Sequence, residues 1–185
     1  MLYKNLPKFD DNSYAHFITT NTYNNYPYFK DEELCQILIE ELEFYSRKYG
    51  FALIGYVIMP DHLHLLVWWD KEEKPNLSIS EIMRGIKGAT ARRIIDLRQG
   101  KGLEQMLQST RRSAHSKSHR KSHRQNLKYR LWQPGFYDFN IYSEEKFLEK
   151  LNYIHSNPVK AGLVSSPEYY KWSSWRLYPL EKTLR

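Results

Sequence analysis

The sequence predicts an α+β fold in which one antiparallel sheet packs on helices, with an additional helix at the C-terminal end. Four short runs are rich in β-branched and aromatic residues, and three longer runs repeat their apolar residues at helical spacing. The runs follow one another in the order β-α-β-β-α-β-α. At 185 residues the chain has the length of one domain, able to bury roughly 70% of its unfolded surface in a single core.

Each element has its own signal. "SYAHFITTNTY", residues 13 to 23, reads as the first strand. Asp31 is placed to cap a helix in which Leu34, Ile37, Leu38, Leu42 and Tyr45 form the apolar stripe and Gly50 the stop. "FALIGYVIM" reads as a strand, Pro60 and Asp61 as a tight turn, and "HLHLLVWW" as the hairpin partner. Ser80 is expected to cap a second helix, with Ile82, Ile86, Ala89, Ile94 and Leu97 on its apolar side and an end near Gly100. "GFYDFNIY" supplies a further strand, and "SEEKFLEKLNYIHSNP" a last helix, capped by Ser143 and stopped by Pro158. The first six elements match the split βαβ, ferredoxin-like arrangement. A single domain over residues 1–185 is expected, interrupted at 105–130 by a basic, flexible insert rich in Ser, His and Arg.

Composition narrows the partner. The formal charge is +7 and 15% of residues are aromatic, including 15 Tyr and 5 Trp. A basic surface interleaved with aromatics suits a polyanion whose bases can stack, and single-stranded nucleic acid fits best. One cysteine, Cys35, excludes an internal disulfide framework and fits a reducing, cytoplasmic setting. No continuous apolar stretch stands near Met1, and the most apolar run, Phe51 to Trp69, is broken by Pro60, Asp61 and two histidines. Neither a signal peptide nor a membrane span is expected.

The insert carries Arg111, Arg112, Lys117, Arg120, Lys121 and Arg124, and from Ser109 to Arg130 no acidic residue. It has two readings: a solvated loop, or a segment that grips DNA phosphates. His115, His119 and His123 recur every four residues, but a Ser/Arg run makes a poor metal tract.

His62 and His64 stand two apart on a predicted strand. They therefore project from one face, with Cα atoms roughly 6.5 to 7 Å apart, close enough to converge on one ion. Leu63, Leu65 and Val67 take the opposite, core-facing side. Such a pair also occurs simply exposed, so the remaining ligands must come from elsewhere. On a helical wheel of the last helix, Phe147, Leu148 and Ile154 cluster about Leu151, whereas Tyr153 falls about 200° and Asn157 about 240° from it. They share that side with Lys146 and Lys150. A tyrosine, an amide one turn later and two lysines suit attack on a phosphodiester: a nucleophile, an oxygen ligand for a hard cation, and positive charge for phosphates. An exposed tyrosine at a helix end is the plain alternative.

"YVIMPDHLHLLV", "LWQPGFYDF", "YIHSNPVKAGLV" and "YKWSSW", in this order, resemble the single-tyrosine transposases of the HUH nuclease superfamily, above all the REP-associated tyrosine transposases. The resemblance spans about Tyr14 to Tyr178 without the insert. It implies that His62 and His64 bind Mg²⁺ or Mn²⁺, that Asn157 completes the shell, and that Tyr153 attacks the scissile phosphate of single-stranded DNA. A 5′-phosphotyrosine link and a free 3′-OH would result, and a second 3′-OH could reverse the step and join strands. The expected partner is hairpin-forming repeat DNA, bound by a monomer or a homodimer.

Other residues have two readings each. Asp61 either orients a ligating histidine or serves the turn. Trp132 and Phe136 either stack bases or pack in the core, Arg92 and Arg93 either touch phosphate or face solvent, and His155 is expected to pack or to hydrogen-bond the backbone. Two rival functions stand beside the transposase: a catalytically silent DNA-binding regulator at repeated hairpins, and a metal hydrolase that uses water in place of Tyr153.

Overall fold

A computed structural model describes residues 14–100 and 130–177, and they form one four-stranded antiparallel sheet with three α-helices. In chain order the elements are β1 (Ala15–Asn21), α1 (Glu32–Tyr49), β2 (Ala52–Ile58), β3 (His62–Trp68), α2 (Ile79–Gly100), β4 (Tyr137–Ile141) and α3 (Glu144–Lys160). The strands lie in the order β2-β3-β1-β4. This is the expected split βαβ arrangement, with β1 and β3 central and antiparallel.

The ends of α1 are fixed by local chemistry. The Asp31 side chain accepts from the Glu33 N–H, and Gly50 closes the helix at φ 67°, a left-handed conformation in which a Cβ is strained. For α2 the structure corrects the expectation at Ser80. Ser78 caps that helix, its side chain and carbonyl both accepting from the Glu81 N–H, so Ser80 lies inside the first turn. Pro158 is likewise not a stop. Helix α3 runs through it to Lys160, and the Pro158 carbonyl still accepts from Leu163 N–H. A buried proline lacking one donor is tolerated here because the turn after it remains hydrogen-bonded.

Alternation along β3 divides the molecule. Leu63, Leu65 and Val67 join Ile18, Leu34, Leu38, Leu42, Ile82 and Ile86 in the larger core, between the sheet and the pair α1 and α2. Leu66 points the other way, into a smaller core with Phe17, Ile54, Val57, Phe147, Leu151 and Ile154 beneath α3. Helices therefore cover both faces. A Cβ at Gly55 would stand 2.9 Å from Leu151, so a glycine there lets α3 approach β2 closely.

Polar contacts pin the periphery. Arg93 of α2 donates to Glu40 and Glu41 of α1 at 2.6 and 2.9 Å, so the guanidinium bridges the two helices. Arg92 is exposed on the same helix. Trp132 is only 7% exposed and its ring lies 5.3 Å from Phe29, which makes it a core residue and not a base-stacking one. Phe136 is partly buried against that core. Cys35 is fully buried, donates to the Phe29 carbonyl, and is pushed up to about 12 by burial, as suits a packing residue. Among the described residues no helix is long and apolar enough to cross a membrane.

Candidate active site

The Pro60–Asp61 turn sets the position of the two histidines. Met59 N–H donates to the His62 carbonyl at 2.8 Å and closes a two-residue hairpin between β2 and β3. Residues beyond β1 hold this turn from outside. Thr22 donates to the Asp61 carbonyl from both its N–H and its hydroxyl, and Phe29 N–H donates to the Pro60 carbonyl. With its backbone clamped, Asp61 presents its carboxylate to His62 Nδ1 at 2.7 Å.

His62 and His64 share a face as period two requires, their rings 4.8 Å apart between centroids. Cross-strand register brings Thr19 of β1 opposite His64, and its hydroxyl lies 2.8 Å from His64 Nδ1. On the far side of that ring, the Asn157 amide donates to Nε2 at 3.2 Å. His64 is 4% exposed, and burial, helped by His62 beside it, pushes it down to about 3. It is therefore a neutral imidazole in which Nδ1–H donates to Thr19 and Nε2 keeps its lone pair. At His62, Nδ1–H donates to Asp61.

Helix α3 brings the tyrosine to this face. Its buried side is the expected one, with Phe147, Leu151 and Ile154 packed and Leu148 partly so. Tyr153 and Asn157 sit on a flank of that stripe, turned toward β1 and β3, and not directly away from the sheet. The Tyr153 ring meets His64 at 5.2 Å and Phe17 at 5.8 Å, both edge-on, and remains 39% exposed. Lys160 Nζ lies 5.4 Å from the same ring. Lys146 and Lys150 both donate to Glu149, at 2.6 and 3.1 Å, and Lys150 also lies over the rings of Phe17 and Phe139.

His155 faces inward between the two. It is almost fully buried, contacts the Ser174 hydroxyl at 2.9 Å and meets Trp175 edge-on. Burial pushes it down to about 4. Ser174 also accepts from Tyr56 N–H, so α3, β2 and the segment after α3 are tied at one hydroxyl. Packing was expected of His155; its partner is a side chain and not the backbone.

The structure thus brings together Asp61, His62, His64, Tyr153 and Asn157. It leaves Arg92 and Arg93 behind the sheet, on α2. Arg111, Arg112, Lys117, Arg120, Lys121 and Arg124 lie outside the described residues, as does the histidine series from His115 to His123. Thr19 and Lys160 were missed by the sequence reading. Strand alternation gives the face of Thr19, but only the β1–β3 register gives its partner.

The donor set can be tested against a divalent ion. Two imidazoles whose Nδ1 atoms are engaged by Thr19 and Asp61, with an amide beside one Nε2, present a donor arrangement of the kind that outer hydrogen bonds orient toward a divalent ion. Among the described residues no group of three or more His, Cys, Asp or Glu could hold a metal.

The profile of the IS200-like transposases matches residues 10–109, more than half of the chain, and the chain belongs to that family. Among solved structures, a REP-associated tyrosine transposase bound to a REP hairpin is 19% identical, with 94% of this chain and 82% of that one covered at a TM-score of 0.60. That likeness establishes the shared fold. A transposase-like chain from Deinococcus radiodurans is 20% identical over 77% of this chain and 88% of its own, with a TM-score of 0.48. No curated protein matches.

Proposed function

We propose that this transposase is a metal-dependent, single-stranded DNA endonuclease and strand transferase that works through Tyr153 on hairpin-forming repeat DNA. The observation that carries the reading is the convergence of Tyr153 and Asn157 of α3 on His64 of β3, whose ring neighbours that of His62. Nothing in packing demands that a partly exposed tyrosine lie against an imidazole oriented through its Nδ1 atom.

His62, His64 and Asn157 would hold Mg²⁺ or Mn²⁺, with Asp61 and Thr19 fixing the histidine tautomers. The ion would act as a Lewis acid on the scissile phosphate. Tyr153 Oη forms a bond to phosphorus as the P–O3′ bond breaks; the phenolic proton passes to water and the departing O3′ takes one up. The phosphodiester energy is retained in a 5′-phosphotyrosine, so attack by another 3′-OH rejoins DNA with no other energy source. The REP hairpin bound by the structural neighbour supports a hairpin as substrate, and the +7 charge supports a polyanion.

A denaturing gel tests this directly. Single-stranded hairpins from the sequence flanking the gene, incubated with protein and Mn²⁺ or Mg²⁺, should yield a covalent protein–DNA band that chelator abolishes. Hairpin binding with no covalent band in either metal would favour the silent regulator. Cleavage that survives Tyr153→Phe would favour the hydrolase.

A further inference from the structure

The three lysines of α3 nearest the tyrosine are not equivalent. Lys146 and Lys150 both donate to the carboxylate of Glu149, which offsets their charge. Lys160 is exposed in the last turn, and its ammonium lies 5.4 Å from the centroid of the Tyr153 ring. The sequence points to the first two, because they stand one and two turns before Tyr153 on the same side. The structure points to the third, whose side chain returns along the helix from two turns after it, as side chains inclined toward the helix N-terminus do.

We infer that Lys160 is the cation that holds the scissile phosphate at Tyr153. The inference rests on the proposed attack by Tyr153. The ring contact places a flexible, strongly hydrated ammonium within reach of any phosphate brought to the phenol oxygen. In the attack, negative charge accumulates on the non-bridging phosphate oxygens, and a cation beside them lowers the barrier. After the attack, the same ammonium neighbours the monoanionic phosphodiester on Tyr153. Lys160 transfers no proton and forms no bond.

A second role is open to a lysine at this position. A cation in the last turn of a helix also favours the helix dipole, and that role would change stability but not the rate of reaction. The experiment therefore separates rate from affinity. Adduct formation is timed at saturating single-stranded hairpin with Mn²⁺ for the wild type, Lys160→Ala, Lys160→Met and Lys160→Arg. Hairpin affinity is measured in parallel by fluorescence anisotropy, and melting temperature is recorded for each variant.

Alanine and methionine should each slow adduct formation about tenfold or more, with affinity within twofold of wild type, and arginine should restore most of the rate. Methionine keeps the stem without the charge, so a wild-type rate in Lys160→Met would overturn the inference. So would an alanine rate within twofold of wild type, or a loss that lies wholly in affinity. In those cases the wild-type adduct still stands and the Tyr153 reading survives. A wild type that forms no adduct removes both readings together.

Discussion

The two faces of the sheet share the strand β3, and each packs an apolar core under helices, but they differ in the polar groups they add. On one, Leu63, Leu65 and Val67 are fully buried in an apolar core closed by α1 and α2. On the other, His62 and His64 meet one helix, a hydroxyl, a carboxylate and an amide. A shift of one residue in register would exchange the two sets. The chemistry thus stands on one face only, at His62 and His64 beside Leu66, which packs that face's smaller core, and changes to Leu63, Leu65 or Val67 should leave the site's property largely intact.

Tyr153→Phe should give the largest effect. It removes only the phenol oxygen of a ring that packs against His64 and Phe17, so adduct formation should fall by on the order of 10³ or more. Hairpin affinity and melting temperature should hardly change. A covalent band at wild-type rate in this variant would break the comparison at its chemical side.

Leu65→Ala tests the opposite side. Loss of a fully buried leucine should cost about 2–5 kcal/mol in denaturant unfolding, while adduct formation per folded molecule, measured in the cold, stays near wild type. Asp61→Asn is smaller and sharpens the site. If the carboxylate orients His62 for an ion, the change should weaken Mn²⁺ affinity by about 10- to 100-fold, whereas a residue that serves only the turn would leave metal affinity unaltered.

The smallest expected effect lies at Lys87 of α2, whose ammonium donates to the carbonyls of Gln133 and Gly135 in the loop before β4. Burial pushes it down to about 8 from its ordinary 10.5. Between those values the unfolded chain binds more protons than the folded one, so stability contributed by this group rises as pH rises from 8 to 10.5. The group is partly exposed, and solvent screening limits the rise to about 1 kcal/mol. Urea titrations of wild type and Lys87→Met across that window should converge or diverge by this amount, and parallel curves would show that Lys87 does not titrate there.

What could be read from the sequence follows the range of the interactions. The caps of α1 at Asp31 and Gly50 are local chemistry, and both stand where the sequence puts them. The division of β3 into histidine and leucine faces needs only the period of a strand. Ser78 displaces Ser80 because two serines two apart are equally good caps, and only the path of the chain selects one. Thr19 could not be paired with His64 without the β1–β3 register, which is set by contacts 45 residues apart. The wheel sorted the buried stripe of α3 correctly but not its flank, since the roll of a helix over a sheet depends on both surfaces. Trp132 and Arg93 show the same limit: their residue types suit DNA, but only the folded chain gives their neighbours, Phe29 and the Glu40–Glu41 pair.

Binding of Mn²⁺, followed by electron paramagnetic resonance in wild type, His64→Ala and Leu65→Ala, tests the central claim most directly, because the two substitutions are neighbours on opposite faces of one strand. The account predicts that wild type and folded Leu65→Ala bind the ion alike and that His64→Ala loses it. Mn²⁺ bound as tightly by His64→Ala as by wild type would contradict it.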